Sequence, residues 1–430
     1  MKFIIDLVSK HSGRIGTLTK SDFELKTPLV LHYTKVGSVP HLSREVFDMI
    51  TTEKQGLQVS LETTSIMEEA LTFSQKGIAE FAGLDHTFSL VTLKDTGAIT
   101  ESFYSRNSVA ILTRAGKISI TPEKYMKLVE TFKPDLFHTL CDGDTNESSG
   151  NKRIFNAVKR TESFFQTCAS LYQTSASLAG SMLLAPIEGG YSIQNREATI
   201  KLLNAYENQE IIGGYFLDGF HSNGNSANQV DSNKVCDIIE KCNALLPTNK
   251  LKVMLGAYSP TLIIKLIQLG VDVFDTTYAY LMTSINQALT FNFDLDTNVE
   301  PDSHQFSIDL SDPIYKDQFE PYVKGCKCLA CRNHTRAYTQ HLVNTRELLA
   351  PILIMIHNTH HYLEFFKAIR QNIANDTLPS LSNLVSEQQA KYDLKRNEQM
   401  KKQNGAKEIS CISTESNQSP FKKLKNAAND

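Results

Sequence analysis

Three cysteines fall within six residues, Cys326, Cys328 and Cys331 in the stretch GCKCLACRNH, and they form the densest group of metal-binding side chains in the sequence. Zinc takes four soft or borderline ligands in a tetrahedron, and three thiolates with one imidazole are a common structural set. Cysteines two and three residues apart suit a tight turn that aims the thiols at one ion. The fourth ligand must come from elsewhere. His357 begins the run HNTHH on an apolar, helix-like segment, LLAPILIMIHNTHHYLEFFKAI. His360 and His361 compete for the same role, and His361 lies one helical turn further along the same face. With Cys326, Cys328, Cys331 and His357 as ligands, no position stays open for water. The expectation is a single Zn2+ that holds a fold and performs no chemistry.

A second candidate is Asp275 in VDVFDTT, at the C-terminal end of a predicted strand. The elements around it define the fold. Short apolar runs recur: PLVLHYT, QVSLETT, FSLVTL, VAILT, LFHTL, MLLAPIEGG, IIGGYFLDG, LKVMLG and VDVFDTT. Helix-like segments such as PEKYMKLVETF, REATIKLLNAYEN, NKVCDIIEKCNALL and SPTLIIKLIQLG lie between several of them. The last opens with Ser259-Pro260, a cap followed by proline at the first helical position. This rhythm predicts parallel βαβ units, and their number favours a closed (β/α)8 barrel of the α/β class. No GxGxxG follows the early strands, which argues against a dinucleotide-binding sheet. Barrel enzymes place their chemistry at the C-terminal ends of the strands, where Asp275 falls. Asp272, on another side of the same strand, reads as structural.

Length and composition set limits. The 430 residues include 41% apolar side chains, enough for a large core, and a net charge of −3 excludes a globally basic nucleic-acid binder. No apolar run reaches the roughly 20 residues a membrane helix needs. The opening MKFIIDLV is too short for a signal peptide and reads as a first strand. Beyond the cluster, Cys141, Cys168, Cys236, Cys242 and Cys411 are scattered, which fits free thiols in a reducing compartment. The expected organisation is a barrel over 1–378 with a zinc-binding subdomain at 325–369 inserted near the C-terminus. A charged, disordered tail over 379–430 would follow, with Lys401, Lys402, Lys422, Lys423 and Lys425.

The stretch CKCLACRNHTRAYTQHLVNTRELLAPILIMIHN resembles the zinc region of the tRNA-guanine transglycosylases, the queuine tRNA-ribosyltransferase family. GRIGTLT, KTPLVLHYTKVGSVPHL and LPTNKLKVMLGAYSPTLIIKLIQLGVDVFD resemble other segments of it, so the likeness spans roughly Met1 to Asn375. The resemblance implies a zinc-bearing barrel that acts on tRNA. It exchanges guanine for queuine at the wobble position of tRNAs with GUN anticodons. In such a reaction an aspartate attacks the ribose and a second carboxylate moves protons. The nucleophile position maps onto Asp275.

The sequence also departs from that pattern. The family's T-D-S-G-G-F loop is matched to Thr113-Arg114-Ala115-Gly116-Lys117-Ile118, which has no acid. The base-reading strand ends in HTLCDGD, with Cys141 or Asp142 at the key place. Glu188 replaces the glutamine of a Q-G-G loop, and Thr276-Thr277-Tyr278-Ala279-Tyr280 lacks the family's proline and arginine. The family includes a heterodimer of one catalytic and one non-catalytic barrel. The departures predict the latter, with no catalytic residue in use and with two partners, the catalytic subunit and tRNA. Two alternatives are an active transglycosylase in which Asp142 supplies the missing acid, and a zinc-stabilised scaffold unrelated to tRNA. The expected location is the cytoplasm, and the resemblance implies peripheral contact with the mitochondrial outer membrane.

Overall fold

The computed structural model describes residues 1–10, 13–21, 23–99, 105–295 and 305–396. An antiparallel sheet of β1 (Lys2–Val8), β2 (Arg14–Lys20) and β3 (Phe23–Thr27) comes first. The strands β4 (Leu29–Tyr33), β5 (Gly56–Ser60) and β6 (Phe88–Thr92) follow, then a hairpin of β7 (Val109–Thr113) and β8 (Gly116–Ile120). Five more strands are β9 (Leu136–His138), β10 (Met182–Ile187), β11 (Ile212–Leu217), β12 (Leu251–Val253) and β13 (Val273–Asp275). The eight strands β4–β6 and β9–β13 form the closed parallel barrel that the sequence rhythm predicts. Closure comes where β13 pairs with β4, Val273 opposite Leu29 and Asp275 opposite Leu31.

Alternation along each strand divides the core in two. Leu29, Leu31, Phe88, Leu90, Leu136, Met182, Leu184, Phe216, Leu251 and Val253 fill the barrel interior. Their neighbours Val30, Val91, Phe137, Leu183 and Tyr215 face the surrounding helices. The β1–β3 sheet closes the end from which the strands start, with Leu18 and Leu25 packed into the interior cluster. There Arg14 grips Asp272 with two hydrogen bonds, Nε to Oδ1 at 2.8 Å and Nη2 to Oδ2 at 2.6 Å. Asp272 therefore has the structural role expected of it.

Two expectations need correction. VAILT is not a barrel strand. It pairs antiparallel with Gly116–Ile120 across a two-residue turn, Arg114-Ala115. A parallel barrel neighbour would need a much longer crossover. The expected disordered tail over 379–430 also fails in its first part. Residues 378–396 are helical, and Leu378, Leu381 and Val385 are buried at helical spacing. Cys411 and the lysines at 401, 402, 422, 423 and 425 lie outside the described residues.

After β13 the chain makes the helix Thr277–Ser284 and a small antiparallel pair, β14 (Gln287–Leu289) and β15 (Ser307–Asp309). The cysteine turn follows, then the helices Leu329–Asn333, Arg336–Asn344 and Leu349–Ala374. The last packs against the helix Thr277–Ser284 and against β4. It supplies the outer layer where the barrel closes, and the cysteine segment is an insertion ahead of it.

Candidate metal centre and barrel mouth

The cysteine turn starts at Gly325, whose φ of +82° suits a residue without a side chain. Cys328 caps the helix Leu329–Asn333, its sulfur accepting from the Cys331 amide at 3.3 Å. His357 arrives from the middle of the helix Leu349–Ala374. Its Nδ1 lies 3.8 Å from Cys326 Sγ, 3.6 Å from Cys328 Sγ and 3.3 Å from Cys331 Sγ. The four ligand atoms lie within 4.8 Å of one another. With Zn–S near 2.3 Å and Zn–N near 2.0–2.1 Å, a tetrahedron has an S···N edge of about 3.6 Å. The observed separations bracket that value, so the donor set fits a zinc ion in both type and spacing.

The outer layer of the site is built as well. His357 Nε2 lies 2.7 Å from the Leu289 carbonyl oxygen. Donating there fixes the tautomer and leaves Nδ1 for the metal. Asn358 holds that carbonyl's strand in place, accepting from Leu289 N at 2.8 Å and donating to Gln287 O at 2.9 Å. The competing histidines fall elsewhere. His361 is buried with its ring 4.6 Å from that of Phe291, and the converging set does not include it. His360 is only partly buried and lies outside the converging set.

The barrel mouth is where Asp275 lies, and its carboxylate is buried. Oδ2 accepts from Gly256 N and Oδ1 from Thr277 N, each at 3.0 Å. Burial raises its carboxyl from 3.8 to about 6 in spite of these bonds. A raised value means that the folded chain binds this proton more tightly than the unfolded chain. The associated stability, about 3 kcal/mol for a shift of this size, is present below about pH 4 and lost as pH rises through 6. Denaturant melts across that window should therefore decline less steeply with pH in Asp275→Asn than in the wild type. Equal slopes would mean that water reaches this carboxylate.

The structure corrects one match. Thr113–Ile118 forms the tip and return strand of the β7–β8 hairpin, and Arg114 and Ala115 are exposed. The segment leaving β6 at the mouth is Leu93-Lys94-Asp95-Thr96-Gly97. Asp95 is buried there, accepting from Tyr33 OH at 2.7 Å and from Gly97 N at 2.9 Å. Thr96 Oγ1 bonds Thr277 Oγ1 at 2.7 Å, which links this loop to the one after Asp275. An acid is therefore present at the mouth. Its position just past the strand FSLVTL was the signal for it, since barrel strands carry chemistry at that end. Thr276–Tyr280 is not a loop, because the helix begins at Thr277 and Tyr280 stacks on Tyr33 at 4.8 Å.

Most other charges at the mouth are paired internally. Asp142 is clamped by Arg153, at 2.6 and 3.0 Å, and by Arg160. Both its oxygens are taken, so Asp142 is a poor substitute proton carrier. Lys94 pairs with Asp144 at 3.4 Å and donates to Ala110 O at 2.9 Å. His138 stacks flat on Phe216, and burial lowers its imidazole to about 4. The remaining cavity, lined by Lys94, His138, Cys141, Asp144, Asp218 and His221 among others, has a volume of about 30 Å³. That is room for a water molecule, and a purine base needs several times as much.

Comparison with known proteins agrees with the geometry. The family model described as queuine tRNA-ribosyltransferase matches residues 9–391. The chain is 44% identical over 394 residues to the queuine tRNA-ribosyltransferase accessory subunit 2 of Aedes aegypti, covering 90% of this chain and 93% of that protein. The protein of the same name from Culex quinquefasciatus is 42% identical over 389 residues, 89% of this chain and 90% of its own length. The one from Drosophila melanogaster is 43% identical over 400 residues, 91% and 93% of the two chains.

Proposed function

The chain belongs to the queuine tRNA-ribosyltransferase family, and from that premise we propose that it is the non-catalytic subunit of a heterodimeric enzyme that exchanges guanine for queuine at the wobble position of tRNA. The observation that carries this reading is the mouth itself. Most of its charges pair with one another, Asp275 and Asp95 are tied down by backbone and tyrosine donors, and the cavity of about 30 Å³ has no room for a base. The names of the relatives support the same division of labour. The partner then carries the reaction, and this barrel holds tRNA through phosphate contacts, which fix position without reading sequence.

In this reading Cys326, Cys328, Cys331 and His357 hold one Zn2+. Bound there, zinc cross-links the cysteine turn to the barrel's last helix and supplies no open coordination position. The insertion it orders and the turn just ahead of it expose Ile314, Phe319, Tyr338 and Leu348. Apolar side chains of this kind suit the buried centre of a subunit interface, and we assign this face to the catalytic partner. Among the described residues no helix is long and apolar enough to cross a membrane. A cytoplasmic protein with peripheral contact at the mitochondrial outer membrane is the proposed location.

The test is incorporation of labelled guanine into tRNA with a wobble guanosine. This chain alone should be silent and the mixture with a catalytic paralogue active. Asp275→Asn should leave the mixture near wild type. Exchange by this chain alone, abolished in Asp275→Asn, would overturn the proposal and return Asp95 and Asp275 to catalysis.

A further inference from the structure

Cys141, Glu188 and Asp218 form a second convergence of donor atoms, separate from the cysteine cluster. Their ligand atoms lie within 4.8 Å of one another. They follow three neighbouring barrel strands: Glu188 comes directly after β10, Asp218 directly after β11, and Cys141 three residues beyond β9. The side-by-side pairing of these strands brings them together, at the end of the barrel where metal and substrate sites are built.

Independent observations point to a ligand here. Glu188 is completely buried, and apart from the neighbouring Cys141 thiol no donor meets its carboxylate oxygens. A buried carboxylate without a donor is costly and rare. The nearest cation does not supply one. The three guanidinium bonds of Arg196 go to the carbonyls of Gly190, Ile187 and Asp218. Asp142 and Asp144 have cationic partners of their own. The space beside the orphaned oxygens is kept open by glycine. A side chain at Gly219 would meet Glu188 Oε2 at 2.5 Å, and one at Gly143 would strike Asp218. Cys141 and Asp218 also line the cavity of about 30 Å³, which has room for one water.

We propose that Cys141, Glu188 and Asp218 bind a second divalent metal ion, with zinc as the fitting class, and that the adjoining cavity holds a water in the fourth position. One thiolate with two carboxylates is a borderline donor set that suits zinc. Binding releases the thiol proton, and any proton on the carboxyls, to solvent. The ion would occupy the floor of the mouth.

The full-length chain is loaded with Zn2+, desalted and analysed for metal. Two equivalents are expected. Cys141→Ser and Glu188→Gln should each lose one, and Cys328→Ser should lose the other. Titration with Co2+ separates the sites within the wild-type chain. One equivalent should show intense bands from three thiolates, and the second should show weak thiolate absorption from a single sulfur. One equivalent in the wild type overturns the proposal and leaves Glu188 and Asp218 sharing a proton. A second equivalent unaffected by Cys141→Ser and Glu188→Gln overturns it too, since that metal sits elsewhere. If both variants fail to fold, the cobalt titration of the wild type still decides. A three-thiolate spectrum saturating at one equivalent rejects the second site.

Discussion

Replacing Cys328 with serine is expected to remove one equivalent of zinc, open the segment between residues 325 and 348 to proteases, and abolish co-purification with a catalytic partner. The choice of residue isolates the metal. Cys328 also caps the helix Leu329–Asn333 through its sulfur, and serine is a preferred cap. Local helix propensity is therefore kept while a ligand is lost. Structural zinc contributes about 10–16 kcal/mol of apparent binding energy in small zinc peptides, so the segment has little of its own to replace it. The barrel is a different matter. Its interior cluster and the β1–β3 sheet do not depend on the metal, and resistant fragments covering residues 1–275 should persist. Co-purification at wild-type yield by a chain shown to lack that zinc would reject the role of the insertion in docking.

The four candidate metal ligands were legible from sequence because three of them are neighbours in the chain and the fourth sits on an apolar helix beside few competitors. The sequence reading chose His357 over His361, and in space the two part, one ring facing the sulfurs and the other facing Phe291. The barrel was legible from strand rhythm, but the hairpin was not separable from it. VAILT has the same length and apolar content as the true barrel strands, and the two-residue turn that settles its partner carries no Asn-Gly or Asp-Gly signal. The helix at 378–396 left a signal, Leu378, Leu381 and Val385 at helical spacing, set among charged residues that mask it. Asp95 was hidden by a loop matched to the wrong place. Cys141 and Glu188 stood at positions the resemblance picks out, but nothing marked Asp218 or grouped the three, since their proximity arises from pairing three strands side by side.

Arg196→Met is expected to cost about 3–5 kcal/mol, the range for removing the cation from a buried group of charges. Arg196 is completely buried. It donates to Gly190 O at 2.7 Å, Ile187 O at 2.9 Å and Asp218 O at 2.7 Å, and its guanidinium lies 3.8 Å from the centre of the Phe220 ring. One side chain thus ties the segments after β10 and β11. Methionine fills much of the volume but leaves three carbonyls without donors. It also removes the cation closest to Glu188 and Asp218, so their mutual repulsion is no longer offset. Lysine keeps the charge, but its ammonium cannot reach three diverging carbonyls as a planar guanidinium does. Arg196→Lys should therefore lose stability too, though less. Denaturant unfolding of the two variants against wild type measures both, and a loss below about 1 kcal/mol in Arg196→Met would sink the argument. The consequence for function follows from where these bonds point. A mouth built to take substrate keeps donors free to meet it. Here Arg196, Arg153, Arg160 and Lys94 are directed at the chain's own carbonyls and carboxylates, and their charge holds this barrel together.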